Sequence, residues 1–209
     1  MELPEEYKRG FKDFLGVRVG LSSRPLIPRE ETEDWVREAL KEIKGECLDL
    51  FAGSGCIGLA ILKNVPGSTC DFGDVESSFL EGIGKSAEEN GITKERFDLI
   101  GTDIFSNIKK KYDFILANPP YVAESRADEV GEDVKEFEPA IALYGGNDGM
   151  ELIRRFLKEA KDHLKDTGVI YMEFDPGQRK EIEELAKGYS KHEFFKDRYD
   201  KQRYIRIEK

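Results

Sequence analysis

The sequence predicts an α/β domain built on a doubly wound, mostly parallel sheet that ends in an antiparallel C-terminal strand pair. Short apolar runs at 47–51, 68–73, 96–100, 114–117 and 169–174 are separated by stretches with helical apolar spacing, the alternation expected of βαβ units. The first four runs also end on a polar group or a glycine turn: Asp49 to Gly55, Asp74, Asp103 and Asn118. Ligands of open α/β sheets sit outside the carboxyl ends of the strands, so these four ends are expected to share one site.

Residues 1–28 form an N-terminal segment in which Phe11-Lys12-Asp13-Phe14-Leu15-Gly16-Val17-Arg18-Val19 predicts a strand or hairpin, and residues 29–209 form the main domain. An amphipathic helix is expected over 31–44: Trp35, Val36, Ala39, Leu40 and Ile43 share a face, acids open it and Gly45 follows it. The strand at 47–51 runs into Ala52-Gly53-Ser54-Gly55-Cys56-Ile57-Gly58 and an apolar helix. Glycines there permit positive φ and close approach of a ligand, and a helix N-terminus favours a carboxylate or phosphate. Taken alone, Gly53-x-Gly55-x-x-Gly58 suits a nicotinamide dinucleotide equally well.

Asp74 and Val75 follow the second strand, roughly twenty residues past the glycines, where a carboxylate commonly grips a ribose diol. Glu76 is a second candidate, and Asp74 as a simple cap for the helix over 77–90 is the competing structural reading. Asp103 after the third strand is placed to accept from an adenine amino group, with Ile104 against the ring. The fourth strand ends in Asn118-Pro119-Pro120-Tyr121. Neither proline can donate to a sheet, and each confines the residue before it to extended conformations. The Asn118 side-chain oxygen and the Pro119 carbonyl therefore make a stiff acceptor pair for the two hydrogens of a planar NH2 group, on which Tyr121 can stack. Such acceptors favour the form of a delocalised nitrogen that can attack an electrophile.

Beyond Tyr121 an acidic stretch to Val134 reads as a loop or short helix over the site, and a glycine-rich segment spans 144–149. A strong amphipathic helix is expected over 150–165, a fifth strand over 169–174, a helix over 178–187 and a closing antiparallel pair at 193–195 and 204–207. The 209 residues, 39% hydrophobic and 36% charged, suffice for one domain with a substantial core. There is no signal-peptide pattern at the N-terminus and no apolar run of membrane-spanning length, so a cytoplasmic location is expected, without membrane partners. Three cysteines without ligand spacing and two histidines give no metal site. A net charge of -10 weighs against a phosphate-backbone partner.

With Asp-x-x-x-Gly-x-Gly after strand one, acids after strands two and three, and Asn-Pro-Pro-Tyr after strand four, the chain resembles the class I (Rossmann-like) S-adenosylmethionine-dependent methyltransferases. Within these it is similar to the HemK/PrmC release-factor glutamine methyltransferases. The narrower likeness rests on Ile27-Pro28-Arg29-Glu30-Glu31-Thr32-Glu33, on Phe137-Glu138-Pro139 leading into Gly145-Gly146-Asn147-Asp148-Gly149, and on Gln178. It implies methylation of the side-chain nitrogen of the glutamine in the Gly-Gly-Gln motif of a peptide chain release factor. Asn118, Pro119, Pro120 and Tyr121 would bind the acceptor, with Asn118, Pro119 and Tyr121 catalytic. Asp49, Phe51, Ala52, Gly53, Ser54, Gly55, Asp74, Val75, Asp103, Ile104 and Asn118 would border S-adenosylmethionine and its product S-adenosylhomocysteine. The family carries a helical domain ahead of this fold, and little precedes Phe11 here, so a partner subunit standing in for it is a further expectation. Ala52 stands where the family has a threonine, and Glu173-Phe174-Asp175-Pro176-Gly177 departs from its usual pattern, leaving those residues without an assigned role. The alternative function is an adenine-N6 methyltransferase acting on DNA or RNA, which shares Asn-Pro-Pro-Tyr; a dehydrogenase and a non-enzymatic scaffold or subunit are further readings.

Overall fold

The structure, a computed structural model, describes residues 2–209; Met1 lies outside the described residues. A short helix α1 (Glu5–Arg9) closes on Gly10, whose φ of 79° is left-handed, and leads into the hairpin β1 (Phe11–Phe14) and β2 (Val17–Gly20). Helix α2 (Glu30–Ala39) precedes β3 (Glu46–Leu50), α3 (Cys56–Asn64), β4 (Thr69–Asp74), α4 (Ser77–Glu89), β5 (Leu99–Gly101) and β6 (Tyr112–Ala117). The chain finishes with α5 (Glu132–Phe137), α6 (Glu151–Glu159), β7 (Leu164–Glu173), α7 (Arg179–Ala186), β8 (Lys191–Lys196) and β9 (Gln202–Glu208).

Seven strands form one sheet in the order β5-β4-β3-β6-β7-β9-β8. Strands β3 to β7 are parallel, while β9 runs antiparallel to β7 and to β8. This is the doubly wound, mostly parallel α/β sheet that the alternating runs predict, with the antiparallel C-terminal pair, and it is the arrangement that the resemblance implies. The chain winds outward from β3 to β5 and then returns to place β6 on the other side of β3, so the order reverses between β3 and β6. Leu50 pairs with Ala117 in that register, which sets Phe51 and Asn118 side by side as the two strands end.

Strict alternation sends successive side chains to opposite faces, and both faces are apolar. Cys47, Phe114, Leu116, Val169 and Tyr171 join a core with α2, α3, α4 and the hairpin. Leu48, Leu50, Ile115, Ala117, Ile170 and Met172 join a second core with α6 and α7. The hairpin belongs to the first core through Phe14, Val17 and Val19. Asn90 further ties it to α4, accepting from Arg18 N at 2.9 Å and donating to Arg18 O at 2.7 Å.

Three elements depart from the sequence expectation. Helix α2 stops at Ala39 rather than at 44, because its last turn tightens into bonds such as Lys41 N to Glu38 O and Glu42 N to Ala39 O. The third strand starts at Leu99 rather than Arg96. Residues Lys94–Arg96 form a 3-10 turn from which the Arg96 guanidinium reaches the carbonyls of Leu62, Val65 and Ser68, a use of the side chain that a strand would not allow. The helix expected to reach 165 ends at Glu159, and β7 begins at Leu164, which is fully buried and pairs with Tyr112. Among the described residues no helix is long and apolar enough to cross a membrane.

The tightest glycine of the α3 segment is Gly58. A Cβ there would stand 2.3 Å from Phe72 Cε1 and 3.0 Å from Cys70 Sγ. Gly58→Ala is expected to destabilise by about 1–3 kcal/mol through overpacking, read as a lower urea midpoint. Gly67→Ala, with nothing within 4 Å of its Cβ position, is expected to leave the midpoint unchanged.

Candidate active site

A cavity of about 230 Å³ opens at the carboxyl ends of β3, β4, β5 and β6. Its floor is the turn after β3. Phe51 takes a φ of 59°, Gly53 of 53° and Gly55 of 73°, and left-handed backbone at a non-glycine residue such as Phe51 is costly strain that surrounding packing must hold. Phe51, Ala52, Gly53 and Ser54 line the cavity. A Cβ on Gly53 would meet only Phe51 O, at 3.9 Å, whereas one on Gly55 would meet Ile83 at 2.7 Å. Of the predicted loop glycines, Gly53 thus faces the cavity and Gly55 serves packing against α4.

Asp49 lies behind this turn and does not reach the cavity. It is fully buried, accepts from Gly58 N at 2.8 Å through Oδ2, and leaves Oδ1 without a partner. Burial raises its carboxyl well above the usual range. Its place in the structure is at the α3 N-terminus, holding the turn. Asp74 does line the cavity, accepting from Gly53 N at 2.8 Å and from Glu76 N at 2.9 Å. Burial pushes its carboxyl up as well. Val75 beside it is 57% exposed on the rim.

Asp103 and Ile104 close the cavity after β5. The Asp103 carboxylate is largely exposed and pairs with Arg155 at 2.8 Å, while Ile104 is buried with a φ of 51°. Thr102 Oγ1 stabilises that turn, donating to Ile104 O at 2.9 Å and accepting from Asn107 N at 3.1 Å.

Asn118 and Pro120 line the opposite wall; Pro119 and Tyr121 do not. The Asn118 Nδ2 donates to Thr32 Oγ1 at 3.4 Å, and among the described residues nothing donates to its side-chain oxygen. The Tyr121 hydroxyl turns away from the cavity and donates to Glu173 Oε1 at 3.2 Å. Burial next to that carboxylate pushes the phenol pKa up, so it stays a donor. The loop is rigid for reasons beyond its prolines. A Cβ on Gly145 would lie 2.3 Å from Pro120 O, and one on Gly149 2.3 Å from Tyr121 O, so only glycines let the 144–149 segment lie against it. Gln178 Nε2 donates to the carbonyls of both Tyr121 and Gly149 at 2.9 Å.

Residues not assigned from the sequence complete the wall. Leu26, Pro28, Arg29 and Thr32 line one side and Ile141 and Ala142 another. Arg29 pairs with Glu138 at 2.5 Å, and the same carboxylate accepts from Ile27 N at 3.3 Å. The segments Ile27 to Glu33 and Phe137 to Pro139, read only as family signatures, thus touch each other across the mouth. Glu173 is 1% exposed and accepts from Thr32 Oγ1 at 2.7 Å and Trp35 Nε1 at 2.8 Å in addition to Tyr121. Alternation along β7 offered the signal for it, since a charge two places after Tyr171 falls on the α2 side of the sheet. Among the described residues no cluster of three or more His, Cys, Asp or Glu could hold a metal ion.

The cavity combines an apolar lining from Leu50, Phe51, Ile57, Phe79 and Ile104 with an uncrowded backbone at Gly53 and carboxylates at Asp74 and Asp103, a mix suited to an apolar ring that carries hydroxyl or amino donors. Residues 33–136 match the Methyltransferase small domain family. A solved structure of the 16S rRNA methyltransferase RsmC of T. Thermophilus, in complex with AdoMet and guanosine, superimposes with a TM-score of 0.66 over 95% of this chain and 49% of that one, at 18% identity. The release factor glutamine methyltransferase of Rhodopirellula baltica is 33% identical over 96% of this chain and 72% of its own length. That of Streptococcus pneumoniae is 36% identical over 87% of this chain and 65% of its own length, so the chain spans some two-thirds of these relatives. On this sequence likeness, together with the fold, the chain belongs to the release factor glutamine methyltransferase family.

Proposed function

We propose that the chain methylates the side-chain nitrogen of the glutamine in the Gly-Gly-Gln motif of a peptide chain release factor, with S-adenosylmethionine as donor. Bound in the cavity, the donor supplies a sulfonium methyl group that is electrophilic at carbon. Phe51 to Ser54 and the wall at Ile104, which line the cavity, would enclose it, and Asp74 would accept from its ribose hydroxyls. The observation that carries the reading is Asn118, which lines the cavity and whose side-chain oxygen receives no donor among the described residues. It accepts one hydrogen of the substrate amide, and the Pro119 carbonyl accepts the other. Those two acceptors orient the nitrogen and favour the charge that develops on it as it attacks. Tyr121 lies off the cavity wall with its hydroxyl anchored on Glu173, so its part in the proposal is to brace the loop from behind.

The rim adds no support for a nucleic-acid acceptor. Among the described residues Arg29 is the one cation lining the cavity, and it is paired with Glu138, while Asp74 and Asp103 are acidic. The deciding experiment is transfer of labelled methyl from S-adenosylmethionine to a purified release factor, beside one whose Gly-Gly-Gln glutamine is replaced, with DNA and RNA in parallel. Label on the intact factor alone is expected; label on nucleic acid would overturn the reading.

Two substitutions separate the roles. Asn118→Ala is expected to abolish transfer while cofactor affinity stays within about tenfold, roughly 1.4 kcal/mol, as measured by calorimetry. Asp74→Ala is expected to weaken cofactor binding by more than tenfold, because it removes the ribose acceptor and unpins Gly53; an unchanged dissociation constant would remove Asp74 from the site.

A further inference from the structure

We propose that Glu173 is a positioning residue that fixes which end of the Asn118 amide faces the substrate, acting through the hydroxyl of Thr32. The inference rests on Asn118 being an acceptor for the glutamine amide, and extends it to a residue outside the cavity.

Glu173 occupies a core position. It follows Tyr171 on the α2 face of β7, where an apolar side chain would pack without the desolvation that a carboxylate suffers. Instead two oxygens receive three donors from two other segments: Thr32 and Trp35 on α2 at Oε2, and Tyr121 in the active-site loop at Oε1. Trp35 Nε1 can only donate, so Oε2 accepts there; burial raises the pKa of the Glu173 carboxyl, and in its ionised form it accepts at all three contacts. Arg203 on β9, itself paired with Asp197, faces both Glu173 and Tyr121 and balances the charge.

Hydrogen-bond direction then propagates toward the cavity. Thr32 has a single hydroxyl proton, and it is spent on Glu173 at 2.7 Å. Its oxygen is left only as an acceptor for groups on the other side. Asn118 lies there at 3.4 Å and must offer Nδ2. With the NH2 end committed to Thr32, the carbonyl end faces the cavity, which is the end an incoming NH2 group requires. The same carboxylate anchors the Tyr121 hydroxyl, so a single buried charge orients both polar members of the loop. In Glu173→Gln, Trp35 Nε1 can only donate, so the new carbonyl oxygen stays at the Oε2 place and the NH2 faces the Tyr121 hydroxyl, leaving the Thr32 polarity intact. Glu173→Leu instead removes the acceptor: the Thr32 proton is then free to donate to the Asn118 oxygen, and the Asn118 NH2 turns to meet the substrate NH2.

The test compares the full chain with Glu173→Leu, Thr32→Val, Thr32→Ser and the Glu173→Leu/Thr32→Val double variant. Expected are a tenfold or greater loss of kcat in Glu173→Leu and in Thr32→Val, cofactor Kd within threefold, recovery in Thr32→Ser to within fivefold of the parent, and a double variant no worse than the poorer single. Contacts acting through one shared group are non-additive in this way. A second readout needs no turnover: the Asn118 side-chain NH2 resonances in 1H–15N spectra, identified by their loss in Asn118→Ala. They are expected to shift in Glu173→Leu and Thr32→Val and to stay in place in Thr32→Ser. Unmoved resonances would overturn the inference, as would loss of cofactor affinity in parallel with kcat or additive losses in the double variant. If the parent transfers no methyl to a release factor while the resonances behave as expected, the glutamine reading fails and the relay stands.

Discussion

The parallel pairing of β3 with β6 is the constraint on which the site depends. Leu50 opposite Ala117 makes both strands end at the same level, and the reversal of strand order at that seam leaves no helix crossing directly above it, as at the switch points of other open α/β sheets. The turn that follows β3 and the loop that follows β6 come from segments more than sixty residues apart, yet they face each other across one cavity. Strands β4 and β5 extend the same edge, adding Asp74 and Asp103 in sequence.

Two buried acids, Asp49 and Glu173, set the backbone and side chains at that edge without lining it. Both lie on the sheet face covered by α2 and α3, at positions where alternation calls for apolar residues. Each replaces packing with hydrogen-bond direction: Asp49 takes the Gly58 amide at the start of α3, and Glu173 takes the donors of α2 and of the active-site loop. A buried carboxylate without such donors would be strongly unfavourable, so α2, β7 and the loop after β6 are held in mutual register. This gives the Ile27 to Glu33 segment a physical reason to accompany Asn-Pro-Pro-Tyr. One end of it meets Glu138 through Arg29, and Thr32 meets Glu173 and Asn118.

Most of the sheet was legible because its strands are buried on both faces and read as short apolar runs, and the strand ends carried the polar residues that line the cavity. Legibility failed where a side chain had a longer reach than local pattern can express. Arg96 looked like the first residue of a strand, but its guanidinium serves three carbonyls of another segment. Helix α1 was unread because its charged residues form no apolar stripe; it is closed by Gly10 and packs only Tyr7, whose hydroxyl reaches Pro25 O at 2.6 Å. Within the site, Asp49 and Gly55 follow the motif spacing yet serve the turn from behind. Glu173 and Gln178 were left unassigned, because their partners are known only once β7 lies beside β6.

The loop's stiffness has several independent sources, and that redundancy matters for what it can do. Two prolines limit its backbone, Gly145 and Gly149 lie against its carbonyls, Gln178 bridges Tyr121 to Gly149, and Glu173 holds the phenol. Acceptors that must be oriented afresh for each substrate would spend reorganisation energy at the moment of attack, whereas acceptors already aimed do not. In the proposed function an uncharged acceptor pair polarises an amide nitrogen only weakly, so its value would lie almost wholly in being correctly placed beforehand. The surrounding segments, from α2 to Gln178, hold the Asn118 to Tyr121 loop in one place, which is what that proposal requires of them.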